Sequence, residues 1–103
     1  MPIFLSPLAE KRIELLLVYL EKEWGPKVKN EFLILLFQDL KQVEKYPKSK
    51  IQSKSQIHLF KSVLTKHTSY FYRINSEDIE VITLIDNRQN PSKIEKELKS
   101  FFS

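Results

Sequence analysis

The sequence predicts an α+β fold: a short N-terminal strand, a helical hairpin packed on a small antiparallel sheet, and a closing helix, in the order β-α-α-β-β-β-α. Three observations predict it. Two long amphipathic stretches meet at Gly25-Pro26, and Gly25 is the only glycine in the chain. After residue 56 come three successive segments rich in β-branched and aromatic residues, joined by links of hairpin length. A last amphipathic stretch opens on Asn90-Pro91, a cap residue followed by proline.

Each element has its own signal. Ile3 to Leu5 is a short apolar run of strand character, and Ser6-Pro7 supplies an N-cap with proline at the first helical position. The first helix runs to about Glu23. Leu8, Leu15, Leu16, Tyr19, Leu20 and Trp24 fall mostly at three- and four-residue steps, which predicts that they form its buried face. Gly25 stands where a left-handed residue ends a helix at least cost, and Pro26 opens the next without losing a needed N–H. The second helix carries Val28, Phe32, Leu36, Leu40 and Val43 on one face and ends at Tyr46-Pro47, because the residue before proline is pushed out of the helical region. Lys48 to Gln56 reads as a Ser- and Lys-rich connection without periodicity. Ile57 to Thr65, Thr68 to Ile74 and Ile79 to Asp86 read as a three-stranded antiparallel meander. The last of these is apolar on both faces, as a covered strand requires. Ile94, Leu98, Phe101 and Phe102 give the amphipathic C-terminal helix.

Composition narrows the function. With 103 residues, 42% of them hydrophobic, the chain reads as a single domain over residues 1–103, large enough for one core and too small for two. The absence of cysteine removes disulfides, thiolate zinc sites and cysteine nucleophiles, and suits a reducing compartment. The N-terminus lacks the basic and long apolar regions of a secretory signal, and the run Leu15 to Leu20 is too short to span a bilayer, so a soluble cytoplasmic protein without a membrane partner is expected. The net charge of +4 is unevenly spread. Residues 1–46 are neutral, whereas Lys48, Lys50, Lys54, Lys61, Lys66 and Arg73 lie between Pro47 and Arg73 with no carboxylate among them. That block reads either as an anion-facing surface or as a solvated Lys-rich stretch.

Several residues invite more than one reading. His67 falls in a predicted turn, as a hydrogen-bonding turn residue or a general base. His58 has no second ligand at metal-binding spacing, so no metal site and no cofactor are expected. Tyr70 and Tyr72 share one strand face with Phe71 on the other, a pattern that a packed sheet needs. Arg88 sits in the otherwise uncharged NRQNP loop, as a functional cation, a cap on the carbonyls of a neighbouring loop or a partner of Asp86.

Taken in order, Ser6-Pro7 with Ala9-Glu10, Tyr19-Leu20 with Trp24-Gly25, Tyr46-Pro47, the run KHTSYFYRI and the run IDNRQNP resemble the RelE/ParE superfamily of type II toxin-antitoxin toxins. The resemblance runs from Ile3 to about Ile94 and favours the ParE, or plasmid-stabilisation, branch. It implies a small bacterial toxin neutralised by a cognate antitoxin, with Leu98, Phe101 and Phe102 as candidate antitoxin contacts and a toxin dimer or a toxin-antitoxin hetero-oligomer as possible assemblies. RelE-type members are ribosome-dependent mRNA endonucleases, which need a proton acceptor, cations for the crowded phosphate and a donor to the leaving oxygen. Of the positions that the resemblance carries over, Arg88 is present. The middle-strand Arg falls at about Ser69, the C-terminal Tyr at about Ile94, and the paired Lys of the second strand is reduced to Lys61. The resemblance therefore implies a ParE-like inhibitor of DNA gyrase, with Arg88, Arg73, Lys61 and Lys66 as target contacts and no inherited catalytic site. The alternatives are a RelE-like ribosome-dependent endonuclease using Arg88, Lys61 and His67, and a degenerate, non-toxic antitoxin-binding protein.

Overall fold

A computed structural model describes residues 1–54, 56 and 58–102, with Phe101 and Phe102 described by backbone alone. The elements are β1 (Ile3–Leu5), α1 (Pro7–Trp24), α2 (Pro26–Lys45), β2 (Ile51–Gln52), β3 (Leu59–Val63), β4 (Thr68–Ile74), β5 (Ile79–Asp86) and α3 (Pro91–Phe102). The expected α+β order is present, with one strand more. β2 lies inside the connection expected to be structureless, as two exposed residues paired to Lys61 and Phe60. Two residues carry no periodicity, so only the neighbouring strand reveals them. Ile57, expected to begin a strand, lies outside the described residues, and Leu64 and Thr65 belong to the turn that follows β3.

The sheet has the order β1-β5-β4-β3-β2. The meander β3-β4-β5 is antiparallel as expected, but β1 runs parallel to β5, which makes the sheet mixed rather than antiparallel. Three residues are too few to announce their direction, and the long connection from β1 to β5, through the hairpin and β2 to β4, leaves the chain free to return in parallel. Ser6 makes the join. Its hydroxyl accepts from the Ala9 amide at 3.0 Å as the N-cap of α1 and donates to the Ile82 carbonyl at 2.6 Å, while its amide donates to Val81.

Gly25 ends α1 and starts α2 at φ +90° and ψ 171°. It thus has the positive φ expected of it, in an extended rather than a helical left-handed conformation. Its amide donates to Glu21 and its carbonyl accepts from Lys29.

The hairpin covers one sheet face. Phe32, Leu36, Leu40 and Val43 are buried against Tyr70, Tyr72, Ile79, Val81 and Leu84, each such burial being worth about 1.5–3 kcal/mol. The face read for α2 is therefore the one buried. That of α1 is rotated: Ala9 and Ile13 are buried, with Leu16, Leu17 and Leu20 packed beside them, whereas Leu15, Tyr19 and Trp24 are exposed. Both faces of α1 carry leucines at helical spacing, so periodicity had two solutions. On the other sheet face, Leu59, Phe71, Ile82 and Ile85 form a smaller cluster capped by Ile94 and Leu98 of α3. A bulge makes this possible: Phe71 pairs with Thr83 and Tyr72 with Val81, so Ile82 is the extra residue of β5 and the alternation of sides shifts there.

Candidate functional site

The β3–β4 turn and the β5–α3 loop meet at one end of the sheet, beside the second half of α1. Thr65 shapes the turn, its hydroxyl accepting from the amides of His67 and Thr68. Asn87 then clasps turn to loop. Its amide donates to the His67 carbonyl at 2.7 Å, its side-chain nitrogen reaches the carbonyls of Thr65 and Lys66, and its side-chain oxygen accepts from the buried Ser69 hydroxyl at 2.6 Å. Residues 18 to 22 apart in sequence are thereby fixed together. The sequence marked the NRQNP loop but not Asn87 as its anchor, since the groups it satisfies are defined only by the pairing of β4 with β5.

Between these loops and the hairpin lies a cleft of about 490 Å³. Leu16, Leu20, Val28, Phe32 and Leu84 give it an apolar wall, and Tyr19 and Trp24 stand exposed at its side. The polar rim is His67, Asp86, Arg88 and Arg12. Arg88 folds back on its neighbour, with Nε and Nη2 donating to the two oxygens of Asp86 at 3.0 and 2.8 Å, and its own amide donating to the same carboxylate. These hydrogen bonds hold Asp86 down at about pKa 2, and in return the carboxylate raises Arg88 above the usual arginine range. The pairing with Asp86 that the sequence allows for Arg88 is present. Both side chains are open to water, so the pair adds little stability but cancels most of the local charge.

Arg12 was not singled out by the sequence. Its Nη1 donates to Thr83 Oγ1 at 2.7 Å, to the Leu84 carbonyl and to Glu97 at 2.8 Å, while Nη2 donates to the other Glu97 oxygen. β1 pairs only with residues 79–81 of β5, and the guanidinium occupies the open edge beyond. It ties α1, β5 and α3 together. Its partner is 85 residues away, so no local pattern announces it.

The remaining candidates are dispersed. His67 and Lys66 sit in the turn, next to the Arg88 loop. Lys61 is on the other sheet face, its Nζ 6.0 Å above the Phe71 ring, in a second cleft of about 330 Å³ with Asn87, Gln89 and Ile94. Arg73 is bound to Glu80 at 2.7 Å near the far end of β4, five strand positions and roughly 17 Å from the Thr68–Asp86 pair. Arg88, Lys66 and His67 are brought together, whereas Lys61 and Arg73 are not. Leu98 is half-buried in the smaller cluster, and the side chains of Phe101 and Phe102 lie outside the described part of the structure. The basic block is also less free than its composition suggests, with Lys50 held by Asp39 at 2.9 Å and Arg73 by Glu80. Among the described residues, no group of three or more His, Asp or Glu is placed to hold a metal ion.

The expected catalytic positions are filled by packing. Ser69 is fully buried with its hydroxyl given to Asn87, and Ile94 covers the smaller cluster. Neither presents a cation or a phenol.

This architecture is the fold of RelE/ParE toxins. The chain is similar in structure to the chromosomal ParDE toxin-antitoxin system of P. aeruginosa (TM-score 0.70, 10% identity, 84% of this chain and 95% of that one covered). It is similar also to a YoeB/ParE toxin from Agrobacterium tumefaciens (0.62, 10%, 84% and 99%) and to the isolated E. coli RelE toxin (0.60, 14%, 97% and 97%). No family model and no curated protein sequence matches the chain. No helix among the described residues is long and apolar enough to cross a membrane.

Proposed function

We propose that this chain is the toxin of a type II toxin-antitoxin system, cytoplasmic and ParE-like, which acts by binding and inhibiting DNA gyrase and is neutralised by a cognate antitoxin. The fold common to ParE, YoeB and RelE toxins supports the toxin reading. Within it, one observation favours inhibition by binding over cleavage: Ser69 and Ile94, at the positions where the resemblance to RelE-type enzymes would require an Arg and a Tyr, are both committed to packing. RNA cleavage through the 2′-hydroxyl needs unspent cations and a proton acceptor at one phosphate. Arg88 is matched by Asp86, and Lys61 projects from the opposite sheet face to His67.

The test is supercoiling and DNA cleavage by purified gyrase at increasing ratios of the protein. Supercoiling should fall and cleaved DNA accumulate, and gyrase unaltered at large excess would sink the reading. The ribosome-dependent endonuclease using Arg88, Lys61 and His67 remains the alternative, supported by His67 and Arg88 lining one cleft while Lys61 lies in another. Intact mRNA on translating ribosomes exposed to the protein would dismiss it. Normal growth on induced expression without antitoxin would instead indicate a chain that only binds its partner.

A further inference from the structure

On its side away from the sheet, the helical hairpin carries apolar side chains that the fold leaves uncovered. Leu15 and Val18 of α1 are 57% and 62% exposed, and Ile34 and Phe37 of α2 are each 57% exposed. Ala9 and Ile13 define the sheet-facing side of α1, and at about 100° per residue Leu15 and Val18 fall on the opposite side. Phe32, Leu36, Leu40 and Val43 do the same for α2, with Ile34 and Phe37 opposite. Counted from Gly25, Val18 and Ile34 stand at similar levels of the two antiparallel helices, and helix axes about 8–10 Å apart join them into one patch. The four side chains expose on the order of 400 Å² of apolar surface, about the apolar share of one side of a standard protein interface.

The sequence of the stripe indicates what covers it. Along the outward side of α2 the residues are Lys27, Asn30, Ile34, Phe37, Lys41 and Glu44, all exposed. Turned end for end about the midpoint between Ile34 and Phe37, the stripe is its own complement. Ile34 then meets Phe37, Asn30 meets Lys41, and Lys27 meets Glu44. A two-fold axis across antiparallel helices performs this operation, the symmetry of an isologous dimer. Among the described residues, no ion pair within the chain occupies Lys27, Lys41 or Glu44, whereas nearby Lys29 is bound to Glu21.

We propose that the outward face of the hairpin is a homodimer interface, in which a second copy of this chain lays its α2 antiparallel on the first, with Ile34 and Phe37 at the centre and Lys27 against Glu44 at both ends. Ile34 and Phe37, at the centre of this interface, do not line the cleft that holds Arg88 and His67. The inference is independent of the toxin's target.

Sedimentation velocity of the full chain over a concentration series tests it, with circular dichroism and melting as controls for folding. The expected result is a concentration-dependent dimer, lost in Phe37→Glu. Lys27→Glu and Glu44→Lys each set like charges opposite one another and should weaken the dimer by roughly tenfold, since the axis repeats each altered contact. The double variant Lys27→Glu/Glu44→Lys should recover it, with the pair rebuilt in reverse sign. A chain that stays monomeric throughout overturns the proposal, including one whose patch is covered only when another protein binds. So does a dimer indifferent to Phe37→Glu, or a double variant no tighter than the single ones.

Discussion

Asp39 is the residue on which the main core turns. It projects from α2 into the sheet, where Oδ2 accepts from Ser62 at 2.5 Å and Tyr70 at 2.7 Å, and Oδ1 accepts from Lys50 at 2.9 Å. Burial pushes the carboxyl upward, but the hydrogen bonds from Ser62, Lys50 and Tyr70, with the Lys50 charge, outweigh it and leave Asp39 below the ordinary range. Removing the carboxylate strands two buried hydroxyls and a half-buried ammonium. Asp39→Ala should cost about 2–4 kcal/mol in urea denaturation, and Tyr70→Phe, which removes a single donor, only about 1 kcal/mol. Equal costs would show that the network does not centre on Asp39. Nothing in the sequence distinguished this aspartate from the other acids of the helices, because its three donors come from β3, β4 and the segment ahead of β2. Tyr70 was legible as packed, from its alternation with Phe71, but its hydroxyl partner was not.

At the scale of elements, α3 is held by one apolar and one polar anchor among the described residues. Ile94 and Leu98 give it an apolar anchor, and the bidentate pair of Glu97 with Arg12 gives it a polar one. Arg12→Met should leave the Glu97 carboxylate without its partner and free the helix. Hydrogen exchange of the α3 amides should then accelerate roughly tenfold or more, with the protection of α2 and β4 unchanged. Uniform acceleration would mean that the pair supports the whole fold. The hairpin turn offers a second check. A Cβ on Gly25 would meet no atom within 4 Å, so the cost of Gly25→Ala is the backbone conformation alone, about 1–3 kcal/mol. Cap and turn residues made these boundaries readable, since their chemistry is local. The direction of β1, the existence of β2 and the rotation of α1 are set by distant partners and were not readable.

The whole molecule is a sheet covered by the hairpin on one face and by α3 on the other, and its stability should narrow at both ends of the pH scale. Asp39 and Asp86 have depressed pKa values in the folded chain. Their contribution is present above the unfolded value of 3.8 and is lost as pH falls through the folded values, with Asp86 adding little because it is open to solvent. Burial, then the Asp39 carboxylate, raises Tyr70 above its usual 10.0, and burial raises Tyr72 likewise. A raised folded pKa gives stability that is complete below 10.0 and declines as pH rises beyond it. Urea midpoints between pH 8 and 12 should therefore fall above about pH 10, by up to about 1.4 kcal/mol per pH unit for each tyrosine, and Tyr70→Phe should flatten the decline. A flat wild-type profile would contradict the closed environment of both hydroxyls.

By itself, the sequence determined the order of elements, the hairpin turn, the meander and the inward face of α2, because periodicity, caps and proline act within a few residues. It also marked the NRQNP loop and the basic block as places to look. Tertiary structure alone decided that Lys61 and His67 occupy opposite faces, that Arg12 fastens α3, and that Leu15 and Val18 point outward. These outcomes depend on which groups lie opposite one another across the sheet, in three-dimensional neighbourhoods that no spacing along the chain specifies.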